Sequence, residues 1–163
     1  MRRSTDDLGS VDPRGCVIMA ARKSLSIILF SGDYDRVHYS LAMASAAAAT
    51  DRPVTVFVTA GGLHLLLDKN SNDNAGWTFL KANLDGKSAL EQDAEFSADG
   101  IAGIDELLAA CAELDVAFYR CDMGVKAAKL NEAMFRTDIQ IKVGGLVSFL
   151  SQAERDDGQI VFI

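Results

Sequence analysis

Two short stretches almost free of polar groups constrain this chain more than anything else in it. Leu25 to Phe30 is an apolar run interrupted by Ser26 and stopped by Ser31 and Gly32. Val54 to Thr59 is rich in β-branched residues and is stopped by Gly61 and Gly62. Apolar runs of this length predict strands buried on both faces, and β-branched side chains suit a pleated surface. Between the two lies a helical pattern of Val37, Leu41, Ala44 and Ala48. Asp33 to Asp35 supply capping oxygens at its start, and the alanines from Ala46 to Ala49 favour a closely packed helix. The alternation then continues. Ile104, Leu107, Leu108 and Cys111 recur at helical spacing. Val116 to Tyr119 reads as a strand, residues 124–131 as a helix, and Ile139, Ile141 and Val143 as a short strand. A helix from Leu146 to Ala153 and a strand from Gln159 to Ile163 close the chain. Strands alternating with helices predict an α/β fold with a mainly parallel sheet covered on both sides. Sites in such folds gather at the carboxyl ends of the strands, here Ser31 to Asp33, Thr59 to His64 and Arg120 to Met123.

Two segments stand outside that pattern. Residues 1–23 mix Gly9, Pro13 and Gly15 with charges and have no sustained apolar period, which predicts a flexible N-terminal extension. Cys16 lies there, beside Val17, Ile18 and Met19. Asn70, Asn72, Asp73, Asn74 and Gly76 predict a long loop over about residues 68–100, anchored by Trp77, Phe79 and Leu80. The rest, residues 24–163, is one domain, as a total of 163 residues implies.

Composition excludes several classes of partner. Sixteen basic residues against 23 acidic ones give a net charge of −7, which disfavours nucleic acid and anionic membranes. No stretch reaches the roughly 20 apolar residues of an integral membrane segment. The cysteines number three, Cys16, Cys111 and Cys121, and no two form a CxxC pair. An odd count without the apolar core of a signal peptide predicts a cytoplasmic protein with reduced thiols.

The usual sources of chemistry are absent. Ser31-Gly32-Asp33-Tyr34-Asp35 is neither a dinucleotide fingerprint nor a P-loop, and its two carboxylates would repel a phosphate at that helix start. Gly61-Gly62 and Gly144-Gly145 read as tight turns. His38 and His64 are the two histidines, and no Cys/His cluster has ligand spacing, so no metal or organic cofactor is expected. A GxSxG elbow is also missing. Cysteine chemistry remains. Cys111 lies on the apolar stripe of its helix and reads as core. Cys121 follows a strand and precedes a helix, a position where free N–H groups favour a thiolate. Arg120 adds positive charge there and Asp122 opposes it, while His64 ends on the same edge. The residues alone leave open a reactive thiolate and an inert loop cysteine.

A family resemblance bears on that choice. Val116 to Met123, reading Val-Ala-Phe-Tyr-Arg-Cys-Asp-Met, resembles the strand–cysteine segment of the DsrE/F/H-like sulfur-relay superfamily. Phe57 to Leu66 is similar to that family's second strand and following Gly-Leu-x-Leu-Leu helix. Val143 to Leu150 with Ile160 to Ile163 is similar to its last helix and strand, and Phe30 to Asp33 to the end of its first. Lys126 and Lys129 after the cysteine depart from the family pattern, as do the long polar segment and the extension. The resemblance implies a three-layer sandwich of the DsrE/YchN-like type, with about five strands in a mainly parallel sheet, assembled as a homo-oligomer. It also implies a sulfur carrier or sulfurtransferase. Cys121 would hold sulfane sulfur as a persulfide and pass it between donor and acceptor proteins, with Arg120, Asp122, Met123, His64 and Gly32 as site neighbours. The alternative is a non-catalytic oligomeric binding or assembly module of the same fold, with contacts made by the 68–100 segment. A third reading is redox sensing through a Cys111–Cys121 disulfide, which burial of Cys111 would exclude.

Overall fold

The computed structural model describes residues 22–70, 72–81 and 86–163. The expectations for Cys16 and for nearly all of the N-terminal extension therefore lie outside the described residues. Residue 23 is tied down, since the Lys23 ammonium pairs with Asp157 at 2.7 Å and its carbonyl accepts from Arg52 Nε at 2.9 Å.

Each predicted strand forms: β1 (Leu25–Leu29), β2 (Val54–Val58), β3 (Ala117–Cys121), β4 (Ile141–Gly144) and β5 (Gln159–Phe162). They build one five-stranded sheet in the order β4-β3-β2-β1-β5, and every pairing is parallel. The helices are α1 (Tyr34–Ala48), α2 (Ala89–Ala98), α3 (Ile104–Glu113), α4 (Asp122–Ala127) and α5 (Leu146–Arg155). A 3-10 turn over Ala60–Leu66 follows β2, where the leucines at 63, 65 and 66 are buried.

The two-residue period of a strand sorts the sheet into two faces. Leu25, Ile27 and Leu29 of β1, Val54, Val56 and Val58 of β2, and Phe118 of β3 are buried against α1 and α3 in the main core. Burying a side chain of this kind is worth about 1.5–3 kcal/mol, so this face carries the fold. Ile28, Phe57, Tyr119 and Cys121 point the other way, into a small second cluster closed by Phe149 of α5. The Phe57 and Phe149 ring centroids are 4.8 Å apart. α5 thus lies over β2 and β3. The β1–β5 end of the same face stays open, with Phe30, Ile160 and Phe162 51%, 47% and 67% exposed. The expectation of strands buried on both faces holds for β1 and β2, whose residues are all buried or half-buried. The exposure at this end is confined to β5 at the sheet edge and to Phe30 just past β1, because one ten-residue helix is too narrow to roof five strands.

The segment expected as a long loop is only partly one. Trp77 and Leu80 anchor it, as their apolar size predicts, while Phe79 is exposed. Residues 89–98 form α2, whose start is a capping box. The Ser88 side chain accepts from Glu91 N, and the Glu91 carboxylate accepts from Ser88 N at 2.8 Å. α2 is held to the body by polar contacts. Tyr34 Oη donates to Asp93 Oδ1 at 2.8 Å, and the same oxygen accepts from Ile104 N at 2.8 Å.

Candidate functional site

Cys121 is the last residue of β3 and the N-cap of α4, so the strand runs two residues further than the apolar pattern predicts. Its sulfur accepts a hydrogen bond from Gly124 N at 3.4 Å. The thiol is 2% exposed and packs with Phe57 and Phe149. Two features therefore meet at one atom: an N–H aimed at whatever charge the sulfur carries, and an apolar wall that keeps water away.

Gly124 makes this approach, and the sequence reading passed it over. A Cβ there would lie 2.6 Å from Thr59 Oγ1 and 3.4 Å from Ala60 N. Only a residue without a side chain lets α4 sit this close to the end of β2 and turn its N–H back on Cys121. The signal was available, since a glycine three residues beyond a strand-end cysteine invites that reading.

The predicted neighbours separate. Arg120 precedes Cys121 in the strand, so its side chain leaves the opposite face of the sheet. It is 6% exposed, ion-paired with Glu132, and its guanidinium carbon lies 4.4 Å from the centroid of the Phe135 ring. It gives the thiol no positive charge at contact range, which corrects the expectation. Asp122 is the first residue of α4 and pairs with Lys126 at 2.7 Å in solvent. Met123 is 68% exposed. His64 lies exposed on the turn after β2, with no hydrogen bond or ion pair from its ring among the described residues. Gly32 belongs to the rim elsewhere. Its backbone touches that of Gly61, and a Cβ at Gly61 would fall 2.7 Å from Gly32 N. Both glycines line a rim cavity of about 310 Å³ together with Phe30, Arg36, Lys81 and Phe162, and Cys121 is not part of it.

Cys111 is fully buried in the main core, where burial pushes its thiol up to about 12. Its sulfur donates to Leu41 O at 3.6 Å. It lies on the other side of the sheet from Cys121, which removes the disulfide reading.

Two further cavities flank the sheet. One of about 450 Å³ lies against α3 beside Arg136 and Asp138, and no cysteine, serine or histidine lines it. Another, of about 420 Å³, runs beneath α5 and ends at Tyr119, Gly144 and Phe149. Among the described residues no group of three His, Cys, Asp or Glu is placed to hold a metal ion, and no helix is long and apolar enough to cross a membrane.

A parallel five-stranded sheet with a shielded cysteine at the carboxyl end of its third strand defines a small α/β protein. The chain belongs to the DsrE/DsrF/DrsH-like family, whose model matches residues 21–161. Its fold is similar to that of a protein of unknown function from Methanobacterium thermoautotrophicum, with a TM-score of 0.56 at 10% identity over 87% of this chain and 100% of that one. The ychN protein from E. coli is similar with a TM-score of 0.52 at 9% identity, over 87% of this chain and 100% of that one. A conserved protein of unknown function from Bacteroides thetaiotaomicron follows with 0.51 at 12% identity, over 90% of this chain and 99% of that one. At these identities the likeness extends to the fold alone. No curated protein matches the sequence.

Proposed function

We propose that this chain is a sulfur carrier of the sulfurtransferase type, working on Cys121 in the reducing cytoplasm. The observation that carries the reading is the setting of that sulfur. It sits at a strand end of a DsrE/DsrF/DrsH-like chain, meets one N–H at 3.4 Å, and is walled by two phenyl rings. A persulfide is labile to solvent reductants, so a dry pocket with a donor aimed at the sulfur suits its storage. In the loading step the Cys121 thiolate attacks the outer sulfur of a donor persulfide, R–S–SH. The Cys121 S–S bond forms, the donor S–S bond breaks, and R–S⁻ leaves. In unloading, an acceptor thiolate attacks the outer sulfur of Cys121–S–SH and returns Cys121 as thiolate.

The test is mass spectrometry on purified protein treated with inorganic polysulfide. One sulfur, about +32 Da and reversible by reductant, is expected on the Cys121 peptide and absent in Cys121→Ser. A folded, reduced protein that takes no sulfur on Cys121 overturns the proposal.

The open end of the second face favours a second, compatible reading of this chain as an assembling module. Phe30 and Phe162 stack at 5.7 Å with both rings exposed, on a fold class that normally covers both sides of its sheet. A second copy seated there makes a homo-oligomer. Sedimentation should give an assembly that Phe162→Ser weakens, and a native monomer at all concentrations refutes it.

A further inference from the structure

We infer that the cleft beneath α5 is the access route of a small zwitterionic thiol persulfide, of amino-acid or short-peptide type, and that Phe149 is the gate between the cleft and Cys121. The inference rests on the persulfide reading of Cys121 and adds the donor class and its path.

Cys121 is closed to solvent at the carboxyl rim, being 2% exposed, and the rim cavity does not reach it. Approach is instead laid out along the second face of the sheet. The cleft of about 420 Å³ extends from Pro53 and Asp115, at the amino ends of β2 and β3, to Tyr119, Gly144 and Phe149. That inner wall is also the surround of the sulfur. Gly144 is the register partner of Cys121, Tyr119 packs against the Cys121 cluster, and Phe149 belongs both to the cluster and to the cleft lining. One phenyl ring therefore touches both spaces, and a rotamer change of one side chain joins them.

The volume lies within the roughly 300–1,000 Å³ of small-molecule sites and excludes a folded domain. Its charges select the ligand. Arg155, Asp115 and Asp156 line the cleft and are exposed. Gln152 holds two of them, accepting from Arg155 Nη2 at 3.2 Å and donating to Asp156 Oδ2 at 2.9 Å. A guanidinium beside carboxylates complements a molecule with one carboxylate and one ammonium, while the aromatic inner end takes the methylene and sulfur. The reaction is the loading step above with R as that molecule, and R–S⁻ leaves by the same cleft.

The experiment follows Cys121 loading by mass spectrometry with cysteine persulfide as the probe. Ser148 is exposed on α5 and lines the cleft, so Ser148→Trp plugs it without touching the core. Loading should slow roughly tenfold in Ser148→Trp and stay near native in Glu154→Trp, an exposed α5 position outside the cleft lining. Phe149→Leu should speed alkylation of Cys121 by iodoacetamide about fivefold. Arg155→Glu should raise the probe concentration for half-maximal loading about fivefold. Circular dichroism verifies the fold of each variant. Native-rate loading in folded Ser148→Trp overturns the cleft while the carrier reading stands. Loading of native protein from a persulfide on a protein, with none from cysteine persulfide, overturns the small-donor assignment. A native protein that loads from no donor overturns the carrier reading itself.

Discussion

Gly124→Ala tests whether close approach of α4 creates the Cys121 setting. The added Cβ would stand 2.6 Å from Thr59 Oγ1, against 3.4 Å for the shortest ordinary contact, so something must yield by about 0.8 Å. Overpacking of this kind costs about 1–3 kcal/mol. Alanine in place of glycine inside a helix returns about 1 kcal/mol, so the single variant should lose up to about 2 kcal/mol. The coupling with Thr59 separates the two contributions. Thr59→Ala removes Oγ1 and leaves 3.4 Å contacts to Ala60 N and Leu63 Cδ1. Thr59→Val keeps a group of the same size. In a double-mutant cycle by urea unfolding, Gly124→Ala should couple to Thr59→Ala by at least about 1 kcal/mol and to Thr59→Val hardly at all. The same Gly124→Ala protein should take up sulfur on Cys121 more slowly, because the 3.4 Å hydrogen bond to the sulfur is displaced. A stability equal to or above native, with no coupling to Thr59→Ala, would refute the reasoning, since α4 would then have room it is argued to lack.

Other expectations follow from single contacts. Cys111→Ala should destabilise the protein by about 1–2 kcal/mol through a small core void and leave sulfur uptake unchanged; a lost uptake on the folded variant contradicts the assignment to Cys121. Asp138 is held below the ordinary carboxylate value chiefly by its hydrogen bonds with Arg136, at 2.7 and 2.6 Å. A depressed carboxylate contributes stability above its unfolded value of about 4 and loses it as pH falls through its folded value. Asp138→Asn should therefore cost roughly 0.5–1 kcal/mol in urea melts near neutral pH, with the gap closing below about pH 4. A gap that persists unchanged in acid rules out the ionic origin.

The strands were legible because apolar runs with β-branched residues, and for β4 an alternating pattern, admit few other structures; all five form, with β3 running two residues past its apolar run. α2 was missed although Ser88 and Glu91 carry a capping-box spacing, because its exposed surface gives it no strong apolar stripe: Ala89 and Gln92 are the buried residues of its ten. Cys121 was legible as a strand-end cysteine, yet its neighbours were not. Charges beside it in sequence suggested charges beside it in space. Period two excludes that for Arg120 once β3 is known to run through residue 121, since adjacent strand residues face apart. Phe57 and Phe149, 92 positions apart in sequence, meet at 4.8 Å. Pairing of that kind depends on where a crossover helix lands on the sheet, which local periodicity does not encode.

The two faces of the sheet divide the work between stability and access. Among the described residues the main core joins 25 buried apolar residues, and the second cluster three: Phe57, Cys121 and Phe149. Local opening costs least where few buried contacts must be broken. Loosening α5 breaks the three-residue cluster, whereas exposing Cys111 breaks the core itself. In the proposed carrier, a sulfur that must be shielded while loaded and reached while exchanging requires a thin cover over a rigid support, and Cys121 lies on the side with the smaller cluster. Had the same thiol stood one residue earlier in β3, it would face Phe118's side of the sheet, the side of the larger core.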